Sequence, residues 1–247
     1  VADVRLSFEA YCDVIGEEAE RLSQAASSSL DLLVPSCPGW TVADLIGHVT
    51  FVYRMWIAQL CAKDPSTHVP SKRKESTKES MLVAAFEASC SELLGALCDA
   101  TKEGPCWNFT GVDLTAAWVA RRVAHESTMH RVDAELARGR SSAIDREFAV
   151  DGIDERIAVC LPASLRRAPG ASLGGSLGFV LTDADAAWVV SIESGKMTWR
   201  FGRGPVSAVV VGAASEVYLF SWNRVGLEVV ELTGDAEVAE AWATLPG

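Results

Sequence analysis

The chain has 247 residues, 49% hydrophobic and 22% charged, enough for one large domain or two modest ones. Its formal net charge is −11 and no segment concentrates Lys and Arg, which excludes the basic patch that phosphate binding requires. No run approaches the roughly 20 apolar residues of a membrane span, no basic-then-apolar leader opens the chain, and the seven cysteines, odd in number and without a CxxC pair, argue against a disulfide scaffold or a Cys-rich zinc site. These features predict a cytoplasmic protein with reduced thiols and with neither a nucleic-acid nor a membrane partner.

In chain order, residues 2–27 carry apolar and acidic positions at helical spacing. Pro35-Ser36-Cys37-Pro38-Gly39 then breaks the chain, and Thr41 caps the next helix, with Asp44 completing an acidic capping box. Val42, Leu45, Ile46, Val49, Val52 and Trp56 give that helix an apolar stripe as far as about Ala62. A polar loop follows at about 63–76; its basic run Lys72-Arg73-Lys74 is followed by Glu75 and Glu79 and reads as solvated. A third helix is expected at about 77–100, ended by Gly104-Pro105, and a fourth at about 114–138, stopped at Gly139. Four helices joined by loops predict a bundle over 1–142. Beyond residue 145 glycine and β-branched residues rise. Strands are expected at 176–182, 187–192, 197–201 and 206–211, with a hairpin turn at Glu193-Ser194-Gly195-Lys196 and helices near 152–166, 213–223 and 235–244. The fold class is therefore α+β overall, a helical bundle followed by a small α+β domain over 143–247.

Only four histidines occur. Glu126 and His130, one helical turn apart, project from one face of the fourth helix. At about 100° per residue that face also carries Val119, Val123 and Ala137, so it points inward. His48 lies on the apolar face of the second helix, between Leu45 and Val52. One carboxylate and two imidazoles converging from two helices would make a three-ligand metal site with an open position, the pattern of a catalytic metal. Each component also has an ordinary alternative: a core histidine bonded to backbone, or a Glu126–Arg122 pair at i, i−4. His125-Glu126 starts like a zincin motif, but His125 and His130 would be about 140° apart on the helix, which rules that register out. His68 falls in a polar loop and reads as inert. Asp133 is a candidate acceptor for a ligand imidazole, discounted on its angular offset from His130.

At these residues a family resemblance emerges. Val34–Val49, with its Pro-Ser-Cys-Pro-Gly-Trp-Thr core and His48, and Ala120–Ala134, with Glu126 and His130, resemble two signatures of the mycothiol-dependent maleylpyruvate isomerase family. Gly212–Phe220 through Leu232–Asp235 looks like the family's small C-terminal domain. The resemblance implies a DinB-like four-helix bundle in which His48, Glu126 and His130 hold a divalent metal, usually zinc. It also implies mycothiol, a thiol cofactor of actinobacteria, working at that metal.

The expected enzyme is then a mycothiol-dependent S-transferase or isomerase, acting on a small electrophile and existing as a monomer or dimer. A free thiol has a pKa near about 8.5, and a coordinating metal deprotonates it. Anionic substrates would need local cations to offset the chain's charge. Arg122, within about 40° of the Glu126 face, is the favoured catalytic one. Arg54, Arg131 and Trp40 are the candidate contacts for the thiol cofactor, and Arg121 is a further cation in the same motif. Cys37 is a weak candidate nucleophile without a basic neighbour in sequence. Trp56, Trp107 and Trp118 could floor a pocket, although core packing is their commoner fate. The alternatives are a metal-dependent hydrolase, using His125 or Asp133 as base, and a non-catalytic metal- or ligand-binding module.

Overall fold

In the computed structural model, residues 5–62, 64, 66–71 and 78–246 are described; the Lys72-Arg73-Lys74 run lies outside them. Two compact units are present. One comprises Ser7–Ser142; the other comprises Ala143–Gly247, with Arg5 and Leu6 grouping with it.

In the first unit Ser7 caps α1 (Phe8–Ala26), its side chain accepting from the Ala10 amide. α2 (Val42–Leu60) starts at the expected capping box: Thr41 accepts from the Asp44 amide, and the Asp44 carboxylate accepts from the Thr41 amide. A 3₁₀ turn at Glu79–Met81 leads into α3 (Leu82–Asp99), and Thr115 caps α4 (Ala116–Ala137). α1 packs mainly on α4 and α3, and α2 on α3 and α4, so each helix has two neighbours around one core. Ile15, Leu22, Leu45, Ile46, Val49, Tyr53, Phe86, Leu93, Leu97, Val119 and Val123 fill it, all fully buried. Trp56 and Trp118 pack together in this core, with ring centroids 5.7 Å apart, rather than flooring a pocket.

The capping box fixes where α2 begins, and so the phase at which His48 emerges two turns later. Thr41→Ala removes the acceptor for the Asp44 amide. It is expected to cost about 1 kcal/mol and to lower the thermal midpoint by roughly 2–8 °C, read by circular dichroism. An unchanged midpoint would show that the cap contributes nothing.

The second unit is a five-stranded sheet in the order β3-β2-β1-β4-β5 with helices packed against it. Its strands are β1 (Ser176–Leu181), β2 (Ala187–Glu193), β3 (Lys196–Phe201), β4 (Ala208–Gly212) and β5 (Glu231–Gly234). β1 and β4 are parallel; the other pairs are antiparallel. The β2–β3 hairpin closes on Ser194-Gly195, both at positive φ (49° and 72°), the primed turn that matches strand twist. β5 has no counterpart among the expected strands: its four residues are short and mostly exposed, too few to show alternation. α5 (Arg146–Glu155) continues through one π turn at Arg156–Cys160 into α6 (Leu161–Leu165). Pro162 has no amide to donate to Ala158, and the chain widens there. α7 (Ala214–Ser221) and α8 (Ala236–Trp242) follow. Among the described residues no helix is long and apolar enough to cross a membrane.

Candidate metal centre

α4 is polar in sequence yet buried almost all round. Arg121, Arg122, His125, His130, Arg131 and Asp133 are each at most 8% exposed. A helix interior to a bundle can carry such groups only if they are paired or used. Their pairing divides the helix into a face that meets His48 and a face tied to α1.

On the face that meets α2, Nε2 of His48 and Nε2 of His130 each lie 3.2 Å from the same oxygen, Oε1 of Glu126. The two imidazole rings are nearly perpendicular, with centroids 5.0 Å apart. One donor atom from each residue falls within 4.8 Å of the others, which makes these three residues a candidate metal-binding group. Two nitrogens and one carboxylate oxygen fit a divalent transition metal of the zinc type. The i, i+4 spacing accounts for Glu126 and His130; the packing of α2 on α4 brings in His48 across 78 positions of sequence.

The surrounding charges hold the three in place. Burial alone would raise the Glu126 carboxyl, but His130, His48 and Arg122 outweigh it and hold it well below the usual carboxylate range. Burial would likewise depress His130, yet Glu126 and Asp133 reverse this and raise it to about 9. Arg122 reaches Oε2 of Glu126 at 3.3 Å, so the ordinary ion pair at i, i−4 is realised together with the histidine contacts rather than instead of them. Oε1 faces the imidazoles while Oε2 faces the guanidinium.

Asp133 stands closer to the site than its discounted angle suggested. Its Oδ2 accepts from Nδ1 of His130 at 2.9 Å. Residues at i and i+3 are about 60° apart on a helix, well within side-chain reach. Its Oδ1 accepts from the Ser36 hydroxyl, and Cys37 Sγ lies 3.8 Å from Oδ2. The Ser36 contact carries no signal in sequence, because it joins residues 97 positions apart.

Among the expected cofactor contacts, Trp40 lies against His48, with ring centroids 5.1 Å apart. Arg54 is half-buried on α2, six residues beyond His48 and so about 120° around the helix from it. Arg131, also expected to contact the cofactor, is fully buried, and its guanidinium is held by both oxygens of Glu18 and by Glu135, tying α1 to α4. His125 is buried edge-on to Tyr11, at a centroid distance of 6.4 Å, and His68 lies against Trp107 at 4.4 Å.

A family model described as the mycothiol maleylpyruvate isomerase N-terminal domain matches residues 11–135, a span that holds all three triad residues. Comparison with curated proteins returns no match. Among solved structures, a crystal structure of mycothiol-dependent maleylpyruvate isomerase superposes with a TM-score of 0.65 at 14% identity, covering 92% of this chain and 93% of that one. A histidine-to-alanine mutant of that enzyme gives the same values. At this identity the likeness speaks to the fold, helical unit and sheet unit alike.

Proposed function

Because the chain belongs to the mycothiol maleylpyruvate isomerase N-terminal domain family, we propose that it is a metal-dependent enzyme that uses mycothiol against a small electrophile, as an isomerase or an S-transferase. The observation that carries this reading is the convergence of the His48 and His130 Nε2 atoms on one oxygen of Glu126. His48, Glu126 and His130 would hold the metal, zinc by the character of the donors. When bound, the metal and the thiol would together supply a nucleophilic sulfur at neutral pH, for reversible addition to an alkene or for conjugation.

The residues of the chain divide the supporting work. Glu126 offers Oε1 to the metal while Arg122 occupies Oε2, which keeps the carboxylate from rotating away. Asp133 accepts a hydrogen bond from Nδ1–H of His130, leaving Nε2 to face the site. Trp40 covers one side of the His48 imidazole. A hydrolase would need a free base at the same place. Asp133 is already engaged by His130 and Ser36, and His125 packs against Tyr11, so this reading has less support.

The test is turnover of maleylpyruvate, and of a panel of activated alkenes and alkyl halides, by zinc-loaded and chelator-treated protein. Each would be assayed with mycothiol, with glutathione and with no thiol. Turnover is expected only with zinc and mycothiol together. Product formed equally well without any thiol would reject the proposal and favour the hydrolase.

A further inference from the structure

Residues 34–40 form a closed loop rather than a passive linker between α1 and α2. The Val34 amide donates to the Trp40 carbonyl at 2.9 Å, joining the two ends of the loop. Inside, the Cys37 amide donates to Val34 and the Trp40 amide to Cys37, giving two successive turns. Pro35 and Pro38 occupy the second positions of these turns. Gly39, at φ 84°, takes the left-handed third position of the latter, the signature of a type II turn. At the N-terminal side of α2, the Val42 and Ala43 amides donate back to Leu32 and Leu30. The loop is thus conformationally determined by its own prolines, glycine and backbone bonds.

From this loop, side chains reach the two histidines of the triad by separate routes, with Cys37 Sγ also 3.8 Å from Oδ2 of Asp133. Ser36 donates to Oδ1 of Asp133, whose Oδ2 accepts from His130 Nδ1. Trp40 lies against the His48 ring. A carboxylate can only accept, so the His130 nitrogen facing it must carry the proton. Ser36 holds the other oxygen of Asp133, and so helps set the plane in which Oδ2 meets the ring. We propose that Ser36 and Asp133 are positioning residues that fix the ring orientation and tautomer of His130 for metal binding, with the 34–40 loop as their anchor. This inference rests on the reading of His48, Glu126 and His130 as metal ligands.

The test compares wild type with Ser36→Ala, Ser36→Thr, Asp133→Asn and the Ser36→Ala/Asp133→Asn double variant. Zn²⁺ affinity is measured by chelator competition and the ligand field by the visible absorption of Co²⁺-loaded protein. Asp133→Asn should weaken Zn²⁺ binding about 10- to 100-fold and shift the Co²⁺ spectrum. Ser36→Ala should do the same to a smaller degree, and Ser36→Thr, which keeps the hydroxyl, should restore both readouts. In the double variant the loss should equal that of Asp133→Asn alone, since Ser36 acts only through Asp133. Because Asp133 is buried and its variants could fail to fold, the half-buried Ser36 pair suffices by itself. Wild-type affinity and spectrum in Ser36→Ala would overturn the proposal, and so would strictly additive losses. If those variants bind normally while His48→Ala does not bind, the relay falls and the metal site stands. If wild type binds neither Zn²⁺ nor Co²⁺, both fall.

Discussion

Alanine in place of His48 or His130 will remove most of the bound divalent metal from the protein, whereas His68→Ala will leave it in place. Each triad residue offers one of three candidate ligand atoms that lie within 4.8 Å of one another. Losing one should therefore cost more than the about 10- to 100-fold that an outer partner costs. Metal content after chelator treatment, reloading with Zn²⁺ and dialysis reads the result directly; near-unchanged content in both variants would end the metal assignment. The same geometry predicts how uptake depends on pH. In the metal-free protein Glu126 and Asp133 hold His130 protonated up to about 9, and a metal needs the neutral ring. Zn²⁺ binding at pH 7 should therefore release a proton, and affinity should tighten by about tenfold per pH unit until about 9. For folding without metal the signs are opposite for the two partners. The raised His130 contributes stability that is fully present below its ordinary value of 6.5 and is lost as pH rises through about 9. The depressed Glu126 contributes stability that is present above its ordinary value of 4.5 and is lost as pH falls through its low folded value. A flat Zn²⁺ affinity between pH 6 and 8, both well below about 9, would contradict the protonated His130.

The second large effect lies on the opposite face of α4. Arg131 is fully buried and takes a two-pronged carboxylate contact from Glu18 of α1, with a third contact from Glu135 at 2.9 Å. Glu18→Ala leaves a guanidinium in a packed bundle with one carboxylate partner in place of two. Breaking a buried pair on one side costs about 3–5 kcal/mol, which lowers the thermal midpoint by roughly 10–20 °C. Glu18→Gln, which keeps an acceptor oxygen but not the charge, should lose less. The mycothiol dependence of any turnover should persist in both variants at a temperature where they remain folded. Calorimetry on the three proteins decides the matter. A midpoint for Glu18→Ala within experimental error of wild type would show that the pair holds nothing together.

Much of the helical unit was legible in the sequence because its signals are local. Thr41 and Asp44 declare the start of α2 within four residues, and the structure forms that capping box. The relative angle of Glu126 and His130 follows from the helical repeat alone, and their contact through Glu126 Oε1 and His130 Nε2 agrees with it. The glycine-marked hairpin at Ser194-Gly195 was readable for the same reason. β5 was not: a short, exposed edge strand is held by its ladder to β4, and that ladder belongs to the pairing rather than to its own residues.

Arg131 and Asp133 show where local reasoning stops. They are two residues apart on one helix, in one motif, and both carry full charges. Neighbours decide their different roles: Glu18 and Glu135 claim Arg131 for the bundle, while His130 and Ser36 draw Asp133 to the triad. What the amino-acid order by itself determined is most of the elements, their phases and the Glu126–His130 pair on α4. These depend on bond geometry and side chains within a turn or two. Only the tertiary structure decided that His48 meets that pair, that Ser36 reaches Asp133, and that Arg131 faces away into the core. Those contacts join residues 78, 97 and 113 positions apart, and the packing of helices against one another selects them, which no local periodicity encodes.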